Sequence, residues 1–163
     1  MIIKVKNKES LIFDDFIFRC AVGKKGISSR KKEGDFCTPR GSFNLGTVYY
    51  RSDRIKNIKT KLKLKKIKKN MGWCNDPRSK KYNSLIKIKD RFKHEKLHRK
   101  DNKYDIVVVI KYNFKKPIPF NGSAIFLHLT KHYKGTAGCI ALSKNDLLIL
   151  LRLINKKTKI RVF

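Results

Sequence analysis

Short strand-like runs of apolar and polar positions dominate this chain, and at Lys61-Leu62-Lys63-Leu64-Lys65 they alternate with a period of two, the pattern of a half-buried β-strand. Such runs, or short continuous apolar ones, predict strands over 1–6, 11–22, 41–50, 61–67, 85–89, 104–112, 123–129 and 159–163. Turn residues punctuate them at 23–26, 34–35, 39–41, 75–77 and 117–122. One segment changes period. Ser143 stands as an N-cap with Asp146 three positions on, and Leu147, Leu148, Leu150, Leu151 and Ile154 follow as one apolar face, predicting a helix at about 143–155. A second short helix is expected around 90–96, so the pattern is mainly β with one or two short helices.

Composition agrees with a packed domain. Of the 163 residues, 49 are Ile, Leu, Val or Phe, well above the level at which chains stay disordered, and the length fits one domain over 1–163. No apolar run approaches the roughly 20 residues of a spanning helix, so no transmembrane segment is expected. Lysines at 4 and 6 interrupt the opening apolar residues, so no Sec-type signal is expected either. Cys20, Cys37, Cys74 and Cys139 stand singly, which argues against a zinc knuckle or a disulfide framework, and whether Cys37 and Cys74 pair is left open.

Charge adds a partner class. With 42 basic and 12 acidic residues the net charge is +30, which suits a polyanion: nucleic acid, an anionic membrane or an acidic wall polymer. However, 32 of the basic residues are Lys and 10 Arg, whereas base readout favours the guanidinium, and no helix-turn-helix, zinc-finger, RRM or KH pattern occurs. The densest basic run, 54–69, has eight lysines and alternates at Lys61-Leu62-Lys63-Leu64-Lys65, which reads as a lysine-faced edge strand. No specific nucleic acid is therefore expected, although a basic nucleic-acid-binding module stays the rival class.

Chemistry concentrates near residue 130. An apolar strand, Phe126-Leu127-His128-Leu129, is followed eleven positions after its histidine by Cys139 in Gly135-Thr136-Ala137-Gly138-Cys139-Ile140. An imidazole beside a thiol can take its proton, and Gly138 leaves the backbone open so that its N–H and that of Cys139 could face an oxyanion. The same pair also fits a buried structural thiol and a hydrogen-bonded histidine, and the spacing alone does not choose. His94, His98 and His132 lie in lysine-rich surroundings without ligand spacing, so neither metal nor cofactor is expected.

Thr136-Ala137-Gly138-Cys139-Ile140 with upstream His128 resembles the active-site signature of the YkuD-like L,D-transpeptidases. Further likeness lies in Lys32-Glu33-Gly34-Asp35 with Thr38-Pro39-Arg40-Gly41-Ser42-Phe43, in Gly72-Trp73-Cys74-Asn75-Asp76-Pro77 through Tyr82-Asn83, in His94-Glu95-Lys96-Leu97 and in Tyr104-Asp105-Ile106-Val107-Val108. These segments resemble the family's small stand-alone branch. The resemblance implies a mixed β-sandwich or barrel-like fold and a peptidoglycan enzyme of the cell envelope or periplasm. It implies Cys139 as nucleophile, His128 as base and then acid, Gly138 as oxyanion donor, and a backbone carbonyl as third triad member. Thr136, Arg40, Trp73, Tyr82 and His132 become candidate substrate contacts, with Arg51 as a further cation. The implied partners are a donor tetrapeptide stem and an acceptor amine, giving 3→3 cross-links, with water as acceptor in an L,D-carboxypeptidase; lysines would attract the anionic wall polymer. The chain departs from many relatives at Ala137 and Ala141, where they carry polar residues, and a catalytically inactive wall-binding relative is the remaining alternative.

Overall fold

The structure is a computed structural model of the chain that describes residues 1–6, 9–89 and 92–163. Its elements, in chain order, are β1 (Ile2–Val5), β2 (Ser10–Phe13), β3 (Phe16–Ala21), β4 (Ile27–Ser28), β5 (Thr38–Pro39), β6 (Gly41–Tyr50), β7 (Leu64–Lys66), β8 (Met71–Cys74), β9 (Leu85–Lys87), β10 (His94–Lys96), β11 (Ile106–Ile110), β12 (Phe126–Leu129), β13 (Ile140–Leu142), α1 (Lys144–Leu153) and β14 (Lys159–Val162). The protein is mainly β, as its strand-like runs and turn residues predict. No helix among the described residues is long and apolar enough to cross a membrane.

The large sheet runs β11-β12-β13-β3-β2-β1-β14-β6-β7, and a further pairing of β11 with β6 closes eight of its strands into a barrel-like ring. Closure depends on the length of β6. Its first half, Gly41 to Asn44, pairs with β14, and Leu45 to Tyr50 pair with β11. Between Val108 and Ile110 the partner advances from Val48 to Leu45, so β6 carries one extra residue there, a bulge that bends the strand. Gly46 lies in it, where a Cβ would stand 3.1 Å from Val109.

Two cores share the barrel wall. All eight ring strands send residues to the first, and α1 adds Leu147, Leu150 and Leu151. Ser143 caps α1 by accepting from the Asp146 N–H at 3.1 Å, as its sequence predicts. The second core lies on the outer face, where Tyr49, Val107, Val109 and Phe126 are covered by Trp73 of β8, Leu97 and Tyr104. Strand β11 is thus buried on both faces, with Ile106, Val108 and Ile110 in one core and Val107 and Val109 in the other, which explains its unbroken apolar run. The cover is a three-stranded sheet ordered β10-β8-β9.

Several expectations need correction. The strand expected over 11–22 is a hairpin, β2 and β3, with Phe13 opposite Phe16 and Asp14 in the left-handed region at φ 47°. A two-residue polar turn inside an apolar run left little periodic trace. The strand expected over 61–67 shrinks to Leu64–Lys66, an exposed edge beside β6; Leu62 and Ile67 turn inward while Leu64 stays out. In place of the second helix, His94–Lys96 form β10 on the small sheet, and residues 90 and 91 of that prediction lie outside the described residues.

Candidate active site

The parallel pairing of β12 with β13 positions the thiol and the imidazole. Leu127 is in register with Ile140, and His128 with Ala141. Side chains alternate along a strand, so His128 shares its face with Phe126, and Cys139 shares that of Ala141. Both candidates therefore emerge on the outer face, where they line one cleft of about 850 Å³ between barrel and small sheet.

Each is held by named partners. The Nδ1 of His128 lies 2.9 Å from the Leu129 carbonyl, which only accepts, so Nδ1 carries the proton and Nε2 keeps a lone pair. The Leu129 carbonyl thereby fixes the orientation of the imidazole ring. Tyr104 packs edge-on against the imidazole, with ring centroids 5.2 Å apart. Burial pulls His128 down to about 4, with the charges of Lys103 and Arg99 acting in the same direction and the Leu129 carbonyl against them. The Cys139 thiol donates to the Ala124 carbonyl at 3.2 Å. Burial pushes this thiol up to about 12, the Glu95 carboxylate adds to the shift, and the Phe126 N–H, Lys31 and the Tyr104 hydroxyl oppose it. At neutral pH both groups are uncharged.

The loop before Cys139 is braced from within. Thr136 Oγ1 donates to the Cys139 carbonyl at 2.6 Å and accepts from the Gly138 N–H at 3.0 Å. Thr38, fully buried, donates to the Gly138 carbonyl at 2.9 Å and accepts from the Gly23 N–H at 2.9 Å. Gly138 adopts φ 141°, and a Cβ there would stand 2.8 Å from the Cys37 carbonyl oxygen, so the position needs glycine. The expected role of Gly138 as oxyanion donor is corrected on this point, because its N–H is already given to Thr136. Thr136 lines the cleft while also acting as the loop's brace.

Four other expected substrate contacts stand outside the cleft lining. Arg40 is exposed, and its N–H donates to Ser28. His132 is exposed with φ 57°. Trp73 is buried in the second core, its indole donating to Asn83 Oδ1 at 2.9 Å. Tyr82 is buried and donates to Glu33, so it reaches the cleft only through that carboxylate. Arg51, the further cation, is buried against Asp53 and donates to the Arg99 carbonyl at 2.8 Å. With the Arg54–Asp105 ion pair at 2.9 Å it pins the 99–105 segment.

Beside the predicted His128, Thr136 and Cys139, the cleft is lined by residues to which sequence reasoning gave no role. Ser123, Glu33, Glu95, Tyr104, Arg99 and Lys31 are among them, beside Ala137 and Ala141. Ala137 and Ala141 bring only small apolar side chains to the lining, and the cations Lys103, Lys131 and Lys134 line it as well. Asn83 is the buried hinge of this region: its Oδ1 accepts from Trp73 and from the Ala124 N–H at 3.0 Å, and its Nδ2 donates to the carbonyls of Tyr112 and Asn113. It thus places Ala124, whose carbonyl receives the Cys139 thiol.

Comparison with known proteins adds one positive result. The YkuD family profile, described as the L,D-transpeptidase catalytic domain, matches residues 3–162. No curated protein and no solved structure matches the chain.

Proposed function

Because the chain belongs to the YkuD family of L,D-transpeptidase catalytic domains, we propose that it is a cysteine-dependent enzyme of peptidoglycan cross-linking, acting as one catalytic domain in the cell envelope. The observation that carries this reading is the shared outer face of β12 and β13, from which His128 and Cys139 enter one cleft.

The reaction follows from the two protonation states. Cys139 Sγ attacks the carbonyl at the L-centre of the third residue of a tetrapeptide stem as its proton passes to Nε2 of His128. The imidazolium, oriented by the Leu129 carbonyl, returns that proton to the leaving amine of the terminal D-alanine when the C–N bond breaks. A thioester remains on the sulfur. His128, neutral again, deprotonates the amine of a second stem, which attacks the thioester and frees the thiol, leaving a 3→3 cross-link; water in that place gives a tripeptide. The cations of the cleft suit the free carboxylates of stem peptides, and the exposed lysines of β7 suit an anionic wall polymer.

Mass analysis of purified disaccharide-tetrapeptides after incubation with the protein tests the reading. The expected product is a dimer that has lost one D-alanine and is linked between third residues. Tripeptide alone would assign the carboxypeptidase reaction, and unaltered tetrapeptide with folded protein would overturn both.

A further inference from the structure

The loop between β11 and β12 takes no part in the proposed reaction, and its tip carries apolar side chains that the fold leaves uncovered. Ile118 and Phe120 are 59% and 61% exposed. With Phe114 they make three of the twelve large apolar side chains exposed among the described residues, all within seven positions. Lys111, Lys115 and Lys116 are exposed on the same stretch, which has no acidic residue from 111 to 122. The loop is held shut at its base. Asn113, in the left-handed region at φ 46°, donates through Nδ2 to the Ile118 and Gly122 carbonyls at 2.9 and 3.0 Å and accepts from the Ile118 N–H at 2.8 Å. The Phe120 carbonyl accepts from the Glu33 N–H at 2.7 Å, and the Asn121 carbonyl from the Tyr112 hydroxyl at 2.6 Å. Pro117 and Pro119 have no N–H to satisfy. Most of the tip's backbone polar groups thus need no water, which lowers the cost of taking the tip out of it.

We propose that this loop is a membrane-docking site: Ile118 and Phe120 enter the interfacial layer of an anionic bilayer, and Lys115 and Lys116 pair with its phosphate headgroups. Exposed apolar side chains flanked by lysines are the composition of an interfacial segment, in which burial and charge attraction add. A protein partner suits the tip less well, because a stable protein interface covers about 800 Å² on each side and this apolar patch is bounded by lysines within a few residues. Nucleic acid would use the lysines and leave Ile118 without a contact, since an aliphatic side chain offers no ring for a base to stack on. Ser123 and Ala124 follow the loop directly and line the cleft, so docking sets the cleft close to the bilayer surface. Docking depends on this surface alone and not on the chemistry proposed for Cys139.

Sedimentation of the full chain with vesicles of phosphatidylglycerol and phosphatidylethanolamine, at physiological ionic strength, tests the docking. The net charge of +30 draws any variant to such vesicles, but every lysine is retained, so that attraction cancels in the ratio of partition coefficients. The double substitution Ile118→Ser with Phe120→Asn is expected to weaken partition about tenfold. Asparagine is chosen at 120 because it tolerates the φ of 66° there. Ile17→Ser should leave partition unchanged, although Ile17 is 74% exposed, because it lies on the β2–β3 hairpin near Asp14 and Asp15. Depth is read separately with Phe120→Trp, whose emission should move to shorter wavelength on the vesicles and be quenched by lipid brominated in its acyl chains. Trp73 is the chain's own single tryptophan and is buried, so it contributes a constant background. If the double variant does not fold, the Phe120→Trp measurement decides alone. Equal partition of the double variant and the unmodified protein overturns the proposal. So does Phe120→Trp emission that brominated lipid leaves unquenched, which would mean attraction by charge only. A dimer that the double substitution dissolves would give the tip to a second copy of the chain and overturn it as well.

Discussion

Cys139→Ala is expected to abolish turnover, with a loss of about 10⁴-fold or more, and His128→Gln to cost about 10²- to 10⁴-fold, both without loss of fold. The sulfur is the only atom of its side chain that can carry the acyl group, so the alanine variant has no alternative route. The histidine loss is smaller because solvent can accept the proton slowly. Burial holds the thiol up at about 12, so a Cys139 without its base presents almost no thiolate at neutral pH. The double variant should be no worse than Cys139→Ala alone, since the two residues act as one unit. Rates of D-alanine release from tetrapeptide by the three variants check this. Equal rates for His128→Gln and the unmodified protein would remove the imidazole from the mechanism.

The second large effect is on stability in acid, and it comes from the same imidazole. His128 is held near 4 by burial, against 6.5 for an ordinary histidine. Between these values the unfolded chain binds a proton that the folded chain refuses, so folded stability is complete above about pH 6.5 and falls as pH drops toward 4. The span corresponds to about 3 kcal/mol. Denaturant unfolding at a series of pH values should show this slope in the unmodified protein and lose it in His128→Gln. Other carboxylates, such as Asp101 held down at about 2 by Arg99, titrate in both proteins and drop out of the difference. Parallel slopes would mean that the imidazole titrates as an exposed one. The reading also predicts that the acid limb of turnover lies near 4, since the base stays unprotonated down to there.

Much of this architecture was legible because its causes are local. Ser143 and the leucines after it define α1 without reference to the rest of the chain, and the strand-like run over 41–50 matches β6 in extent. Where tertiary context decides, the reading failed. Strand β10 has no apolar alternation, since its His94 and Glu95 face the cleft as well as the small sheet, so nothing marked it as a strand. The candidate site divides in the same way. His128 and Cys139 carry a chemical signature in their types and spacing, whereas Trp73 and Tyr82 are aromatics whose direction only packing determines, and both turned inward. Glu95 did leave a trace: it is the one acid between Arg91 and Lys100, amid five Lys or Arg residues and two histidines. Thr38 and Asn83 left none, because their work is to satisfy backbone groups brought near only by the fold.

Intact-mass spectrometry after incubation with a carbapenem tests the central claim, that the Cys139 sulfur is an acyl acceptor reached through the cleft, most directly. The account predicts one adduct of the full carbapenem mass on the folded protein, mapped to Cys139, slowed in His128→Gln and absent in Cys139→Ala. Folded protein that stays unmodified, or an adduct that persists in Cys139→Ala, would contradict it.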